Sequence, residues 1–513
     1  MTMYSRYLIS LFCGTIGLLC VCVFFVFAVD PYGVRPTDTV TAGWNSQKLE
    51  DPWRDGRAMR TAILVQQPRT LILGSSRVVL SMDETLLRDT RYWPAYNAGT
   101  YNSDLGHRLS MLKLAAKLDT QLEEVLFEVS PLDLIHSTSF WQLPPVDSSL
   151  REVAGDAASL FFSEASIARA IRVLYQNFST PVGAENRPVR LAPFGTHQIG
   201  LKTFLYAAHT FYGMFPPAAE YNRHWKEPLA EIFEICEQLK ITCRPILTPM
   251  SAPVLHAYHK LGLWPQVREM MIEVAKRGKT INLLHVNRLT AEPEHTVSSA
   301  WIDSIHFNSA YGDVILNALA TGQMVNENVG TIANILRSED DAIVAADKLE
   351  KSLVDWVNTR PDISWSFEQL RRNIVSPPGA AMLHSRSEIA TISLAQKTWT
   401  VSETSDTGGD FLGHMHHATG KSGDITGFAA DAVGDRAAEI VVIFYDGVFV
   451  ASMFPWFQIP DDRGMSVDAS RSGFHLRYTM PVDAQRGGSL RAFSLFEDGT
   501  ALEIGLGGGI PLS

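Results

Sequence analysis

The first hydrophobic run in the chain is also its longest. From Tyr7 to Val29 no residue carries a charge, and Arg6 and Asp30 bracket the run. At about 1.5 Å per residue, a helix of this length crosses the ~30 Å hydrocarbon core of a bilayer. The apolar part of a cleavable signal peptide is shorter, about 7 to 15 residues, and ends in a small-x-small triplet. Val26-Phe27-Ala28 fits that ending poorly, so residues 1–33 are expected to form an uncleaved transmembrane anchor closed by Asp30-Pro31-Tyr32-Gly33. The polar stretch over 34–60 reads as an extended connector.

Beyond it the pattern changes to short apolar runs separated by helical periodicity. Thr70 to Gly74, Tyr92 to Ala98, Glu124 to Val129 and Ile241 to Leu247 are predominantly apolar and do not alternate strictly. That is the signature of strands buried on both faces, as in a parallel sheet covered by helices. An α/β domain is therefore expected over 61–325, with its last helix at Ser309 to Thr321. A less regular stretch of about 142–230, helical over Ile167 to Gln176 and rich in Pro, Gly and Asn over 181–195, reads as a helical insertion. Residues 326–377 carry charged helical periodicity and predict a helical linker. From 378 to 513 the pattern is that of strands and hairpins. Ile440 to Phe444 and Phe474 to Tyr478 have strand composition, Asp446-Gly447 and Asp498-Gly499 are hairpin turns, and an antiparallel β-sandwich is expected.

Composition adds limits. At 513 residues the chain exceeds what one core organises, so two or three domains are expected. A net charge of -11 and a pI near 5.8 provide no basic field for a polyanion, which argues against nucleic acid as a partner. Arg6 on the short N-terminal side places the remaining residues outside the cytoplasm by the positive-inside rule. In a bacterium this describes a single-pass inner-membrane protein with its bulk in the periplasm. Cys13, Cys20 and Cys22 fall in the apolar span. Cys236 and Cys243 lie where an oxidising compartment permits a disulfide, but one reads as a helix end and the other as part of the next strand, so the sequence leaves open whether they are bridged.

The candidate chemistry sits at strand ends, where sites form in such sheets. Gly74-Ser75-Ser76-Arg77 follows the run Thr70 to Leu73, and a Gly-x-Ser turn there presents a hydroxyl out of the strand end. About 230 residues later stands Asp303-Ser304-Ile305-His306, whose carboxylate can orient the imidazole as a base. Ser76 holds the Gly-x-Ser position, whereas Ser75 suits a helix cap. Arg77 reads as a surface or helix-dipole residue, with a substrate contact as the alternative.

Gly74-Ser75-Ser76, Asn97-Ala98-Gly99 and Asp303-Ser304-Ile305-His306 resemble, in order and spacing, the blocks of the SGNH (GDSL-type) hydrolase superfamily. The resemblance spans roughly residues 60 to 322 and implies a three-layer fold with a parallel sheet. It assigns Ser76 as nucleophile, His306 as base, Asp303 as its partner, and the backbone N-H groups of Ser76 and Gly99 as oxyanion donors, each worth ~3 kcal/mol. The superfamily's Gly-x-Asn-Asp block is replaced by Phe127-Glu128-Val129-Ser130-Pro131-Leu132-Asp133. No Asn is present, and Ser130 and Asp133 are candidate substrate contacts instead. With the anchor, this resembles the membrane-tethered branch that O-acetylates polysaccharides or helps to D-alanylate teichoic acids. The expected activity is acyl transfer onto an envelope glycan through an acyl-serine, with a multipass membrane O-acyltransferase as donor partner. An esterase and a non-catalytic polysaccharide scaffold are the alternatives.

The C-terminal segment, with Gly427 to Asp431, Tyr445-Asp446-Gly447, Ser472-Gly473-Phe474 and Glu497-Asp498-Gly499, resembles β-sandwich modules appended to envelope-glycan enzymes. No cofactor is expected. His414, His416 and His417 near Asp410 have poor spacing for a tetrahedral metal site, and Trp456 and Phe457 read as core before sugar platform.

Overall fold

The computed structural model describes residues 3–36, 44, 56–101, 103–118, 121–134, 150–179, 225–291, 300–302, 305–326, 329–385, 390–402, 410–411, 422–431, 436–456, 466, 471–479 and 490–506. The chain divides into two compact units. One comprises Met1–Gly200, Pro216–Leu255 and Gly262–Leu353, the other Leu201–Phe215, His256–Leu261 and Val354–Ser513.

The first unit opens with α1 (Met3–Val29), whose stretch Tyr4–Val29 is long and apolar enough to cross a membrane. α2 (Gly56–Gln66) follows, so the end of the expected connector is helical. The sheet is built from β1 (Thr70–Leu73), β2 (Ala95–Asn97), β3 (Glu124–Val129), β4 (Thr242–Leu247) and β5 (Thr280–Asn282), in the order β2-β1-β3-β4-β5 and all parallel. β1 lies inside the sheet, next to the edge strand β2, with Leu71 opposite Tyr96 on one side and Val125 on the other. Every residue of β1 and β3 is buried, which is why their runs do not alternate. Strand Asn334–Leu336 adds an antiparallel edge to β5. The helices α3 (Ser76–Ser81), α4 (Leu105–Lys117) and Ser309–Thr321 accompany the sheet. Within the expected insertion, α5 (Leu150–Phe162) and α6 (Glu164–Ser179) are described, and 180–224 lie outside the described residues.

One expectation is corrected, and one open pairing is decided. The linker is two helices, Glu339–Asn358 and Pro361–Val375, and the strand Asn334–Leu336 before them belongs to the α/β sheet. Cys236 and Cys243 are bridged, with Cα atoms 6.0 Å apart. The helix Lys226–Leu239 stops at Lys240 in a left-handed conformation (φ 57°), and Ile241 N-H donates back to Cys236 O, so the chain reverses into β4 within bridging distance.

The second unit holds an eight-stranded, mainly antiparallel sheet around Ile392, Trp399, Val442, Phe444, Phe493 and Leu495. Asp446-Gly447 turns the hairpin between Ile440–Tyr445 and Val448–Met453 with φ positive at both residues, the type I′ requirement. Strands Ser422–Phe428 and Gly473–Thr479 form a separate antiparallel ribbon. Trp456 is fully buried, hence core, while Phe457 and His414, His416 and His417 lie outside the described residues. Among the described residues no group of His, Cys, Asp and Glu is arranged to hold a metal.

Candidate active site

β1 ends at Leu73, and Gly74 and Ser75 turn the chain into α3. Ser75 is extended and caps the helix, its Oγ accepting Arg77 N-H at 3.3 Å. Ser76 is therefore the first helical residue, just past the carboxyl end of β1. Its Oγ lies 2.7 Å from His306 Nε2. With the imidazole proton on Nδ1, the hydroxyl donates to Nε2, which is the contact a nucleophile makes with its base. Asp303 lies outside the described residues.

His306 is held by a short antiparallel bridge. Trp301 pairs with Phe307, Ile302 N-H donates to His306 O at 2.7 Å, and Asn308 N-H donates to Ala300 O at 2.8 Å. Asn308 then caps the helix Ser309–Thr321. Two side chains tie this segment to α3: Ser81 Oγ donates to Phe307 O, and Arg77 Nε donates to Ile305 O at 3.0 Å. Gly312 brings the following helix against α3 so closely that a Cβ there would stand 1.7 Å from Ser81 O. A backbone oxygen cannot swing aside as a side chain would. Gly312→Ala is expected to cost about 1–3 kcal/mol by overpacking and to slow covalent labelling of Ser76, as read by urea unfolding and labelling rate.

Arg77 is fully buried, which overturns its reading as a surface residue. Its Nη1 donates to Ser130 Oγ at 2.7 Å and Thr248 Oγ1 at 2.8 Å and lies 3.4 Å from Glu128 Oε1, and its Nη2 donates to Pro249 O. Arg108, from α4, donates through Nη1 to Glu128 O at 2.8 Å and Asp133 Oδ2 at 2.9 Å. Its Nη2 lies 3.5 Å from Glu128 Oε2. Asp133 also accepts Ser130 N-H at 2.9 Å. Two guanidiniums and two carboxylates thus make a buried, charge-balanced cluster beneath the serine turn. Burial pushes the Glu128 carboxyl upward, but Arg108, Arg77 and the Ser75 N-H outweigh it and hold it below the ordinary glutamate value. Glu128 Oε2 accepts that Ser75 N-H at 2.6 Å and so fixes the turn itself. Of the residues named as candidate substrate contacts, Arg77, Ser130 and Asp133 all have these internal partners.

The turn's amides can be counted. Ser75 N-H goes to Glu128, Arg77 N-H to Ser75 Oγ and Val78 N-H to Ser75 O, which leaves Ser76 N-H without a partner among the described residues. Gly99 N-H donates to Asn97 Oδ1 at 2.9 Å, and Asn97 Nδ2 donates to Val78 O and Met82 O at the far end of α3. The Asn97 block therefore secures the serine helix, a role missed in reading the sequence, as were those of Glu128 and Arg108. The available signal was a lone Glu within the apolar run Val125 to Val129 and a lone Arg facing inward on α4, where charges occur only when paired. Comparison with family models, with curated proteins and with solved structures finds no match.

Proposed function

We propose that this chain is a membrane-anchored, SGNH-like serine acyltransferase that acts outside the cytoplasm on an envelope or secreted polysaccharide. The observation that carries the reading is the 2.7 Å contact of Ser76 Oγ with His306 Nε2 at the carboxyl edge of a parallel sheet. In the proposed cycle His306 takes the Ser76 proton, Oγ attacks the carbonyl carbon of an acyl donor, and the donor's leaving group departs with the proton from His306. A glycan hydroxyl then gives its proton to His306 and attacks the acyl carbon, and the acyl–Oγ bond breaks as His306 returns that proton to Ser76 Oγ. Asp303 is proposed to orient His306, and Ser76 N-H to stabilise the oxyanion. Gly99 N-H would join it after release from Asn97.

The bridged Cys236 and Cys243 support an oxidising compartment, in keeping with α1 as an anchor and the remainder outside. A multipass membrane O-acyltransferase is the proposed donor, and the C-terminal sheet unit the proposed glycan-holding sandwich. The test is covalent labelling by a fluorophosphonate probe on the full-length chain in detergent. Wild type and Ser75→Ala should label, and Ser76→Ala should not. Absence of labelling in wild type would leave only a non-catalytic polysaccharide scaffold. Acetyl release from an acetylated glycan, with no transfer to a second glycan, would establish an esterase instead.

A further inference from the structure

We infer that α6 lies in the headgroup region of the bilayer that α1 crosses, with Ile171, Tyr175 and Phe178 inserted among the lipids. The inference rests on the membrane-spanning reading of α1. Tyr4–Val29 comprises 26 residues, and at about 1.5 Å each it is longer than the ~30 Å hydrocarbon core, so one end extends into the interface. At the end that leads into the α/β unit, Val26 and Val29 are fully buried against Ala170 and Val173 of α6, with Phe25, Phe161, Ile167 and Leu174 packed around them. Phe27 meets Phe161 at 5.7 Å between centroids. α6 is thereby fixed at the level of the last turns of α1.

The flank of α6 next to this contact is not that of a solvated helix, which would be polar. Ile171, Tyr175 and Phe178, spaced i, i+4 and i+7, are 56%, 75% and 71% exposed. On α5, Phe162 is also exposed. The surroundings have the composition of a membrane interface, where Trp and Tyr gather and Arg reaches for the headgroups. Trp44 Nε1 donates to Ala28 O at 3.3 Å, and its ring stands edge-on to Phe178 at 6.5 Å. Arg35 Nη1 donates to the same Ala28 O at 3.2 Å. Tyr32 Oη bonds Ser166 Oγ at 3.1 Å, with Arg169 over its ring at 4.7 Å. A lipid surface covers the stripe while leaving exposed Arg172, at its side, in reach of anionic headgroups.

Site-directed spin labelling tests this on the full chain in liposomes of phosphatidylethanolamine and phosphatidylglycerol. The background is Cys13, Cys20 and Cys22→Ser, and single cysteines replace Ile171, Tyr175, Phe178, Ala165 or Leu18. Labels at 171, 175 and 178 should favour oxygen over a water-soluble nickel reagent, at a depth of about 5–10 Å below the phosphates, while 165 remains in the aqueous phase. The Leu18 label should report the bilayer centre. All substituted sites are exposed, and circular dichroism checks that the variants fold. Aqueous accessibility at 171, 175 and 178 with Leu18 buried in lipid overturns the inference and leaves the stripe to a protein partner, since none is present in the liposomes. A Leu18 label in water overturns the anchor and the inference together.

Discussion

Removing the His306 imidazole is expected to cost as much as removing the Ser76 hydroxyl, and removing both is expected to cost no more than either. Groups that carry one proton transfer in concert contribute once, because a serine without its base is as unreactive as a base without its serine. For Ser76→Ala, His306→Ala and the double variant, the rate of p-nitrophenyl acetate hydrolysis by the full chain should fall to a common floor, roughly 10^4- to 10^6-fold below wild type. The floor exists because oxyanion stabilisation and binding survive loss of the pair. Losses that multiply in the double variant would show two independent sites and break the assignment. The 2.7 Å contact makes the prediction sharp, since Oγ and Nε2 already have the geometry that the transfer requires.

The sequence made some of this legible and hid the rest for identifiable reasons. β1 and β3 were readable because strands buried on both faces leave a mainly apolar run, β4 because its buried half ends in Ile246-Leu247, and the serine turn because Gly-x-Ser interrupts such a run. β5 and the edge strand Asn334–Leu336 were not, since three residues give no period to detect. The Cys236–Cys243 bridge was left open because it depends on one left-handed residue, Lys240, that no side-chain pattern announces. Gly99 shows a different limit. A motif fixes which residue stands at a strand end but not where its N-H points, and here it points to Asn97. Ser130 and Asp133 fell where a site was expected, yet two arginines distant in sequence engage both of them.

Those arginines make Glu128 the position where a single substitution should do most harm to the fold. Glu128→Ala leaves Arg77 and Arg108 buried with only Asp133 as countercharge and strips Ser75 N-H of its acceptor. Breaking a buried pair on one side costs about 3–5 kcal/mol, so the urea midpoint should fall steeply. Glu128→Gln keeps the shape and removes the charge, and it isolates the electrostatic part through pH. The folded carboxyl sits below its unfolded value of about 4.3. Its contribution is therefore fully present above that value and is lost as pH falls through the lower folded one. Within that window the unfolded state binds one more proton, giving a slope of up to ~1.4 kcal/mol per pH unit. Glu128→Gln should flatten the acid arm of the stability curve by up to that amount while leaving its shape above pH 5 unchanged. Equal acid slopes in the two proteins would mean that Glu128 is not held ionised by Arg77 and Arg108. Because Ser75 N-H loses an ionised acceptor in Glu128→Gln, covalent labelling of Ser76 should slow at pH 7 even where the fold persists. A fully folded variant that labels at the wild-type rate would separate the buried charges from the site above them.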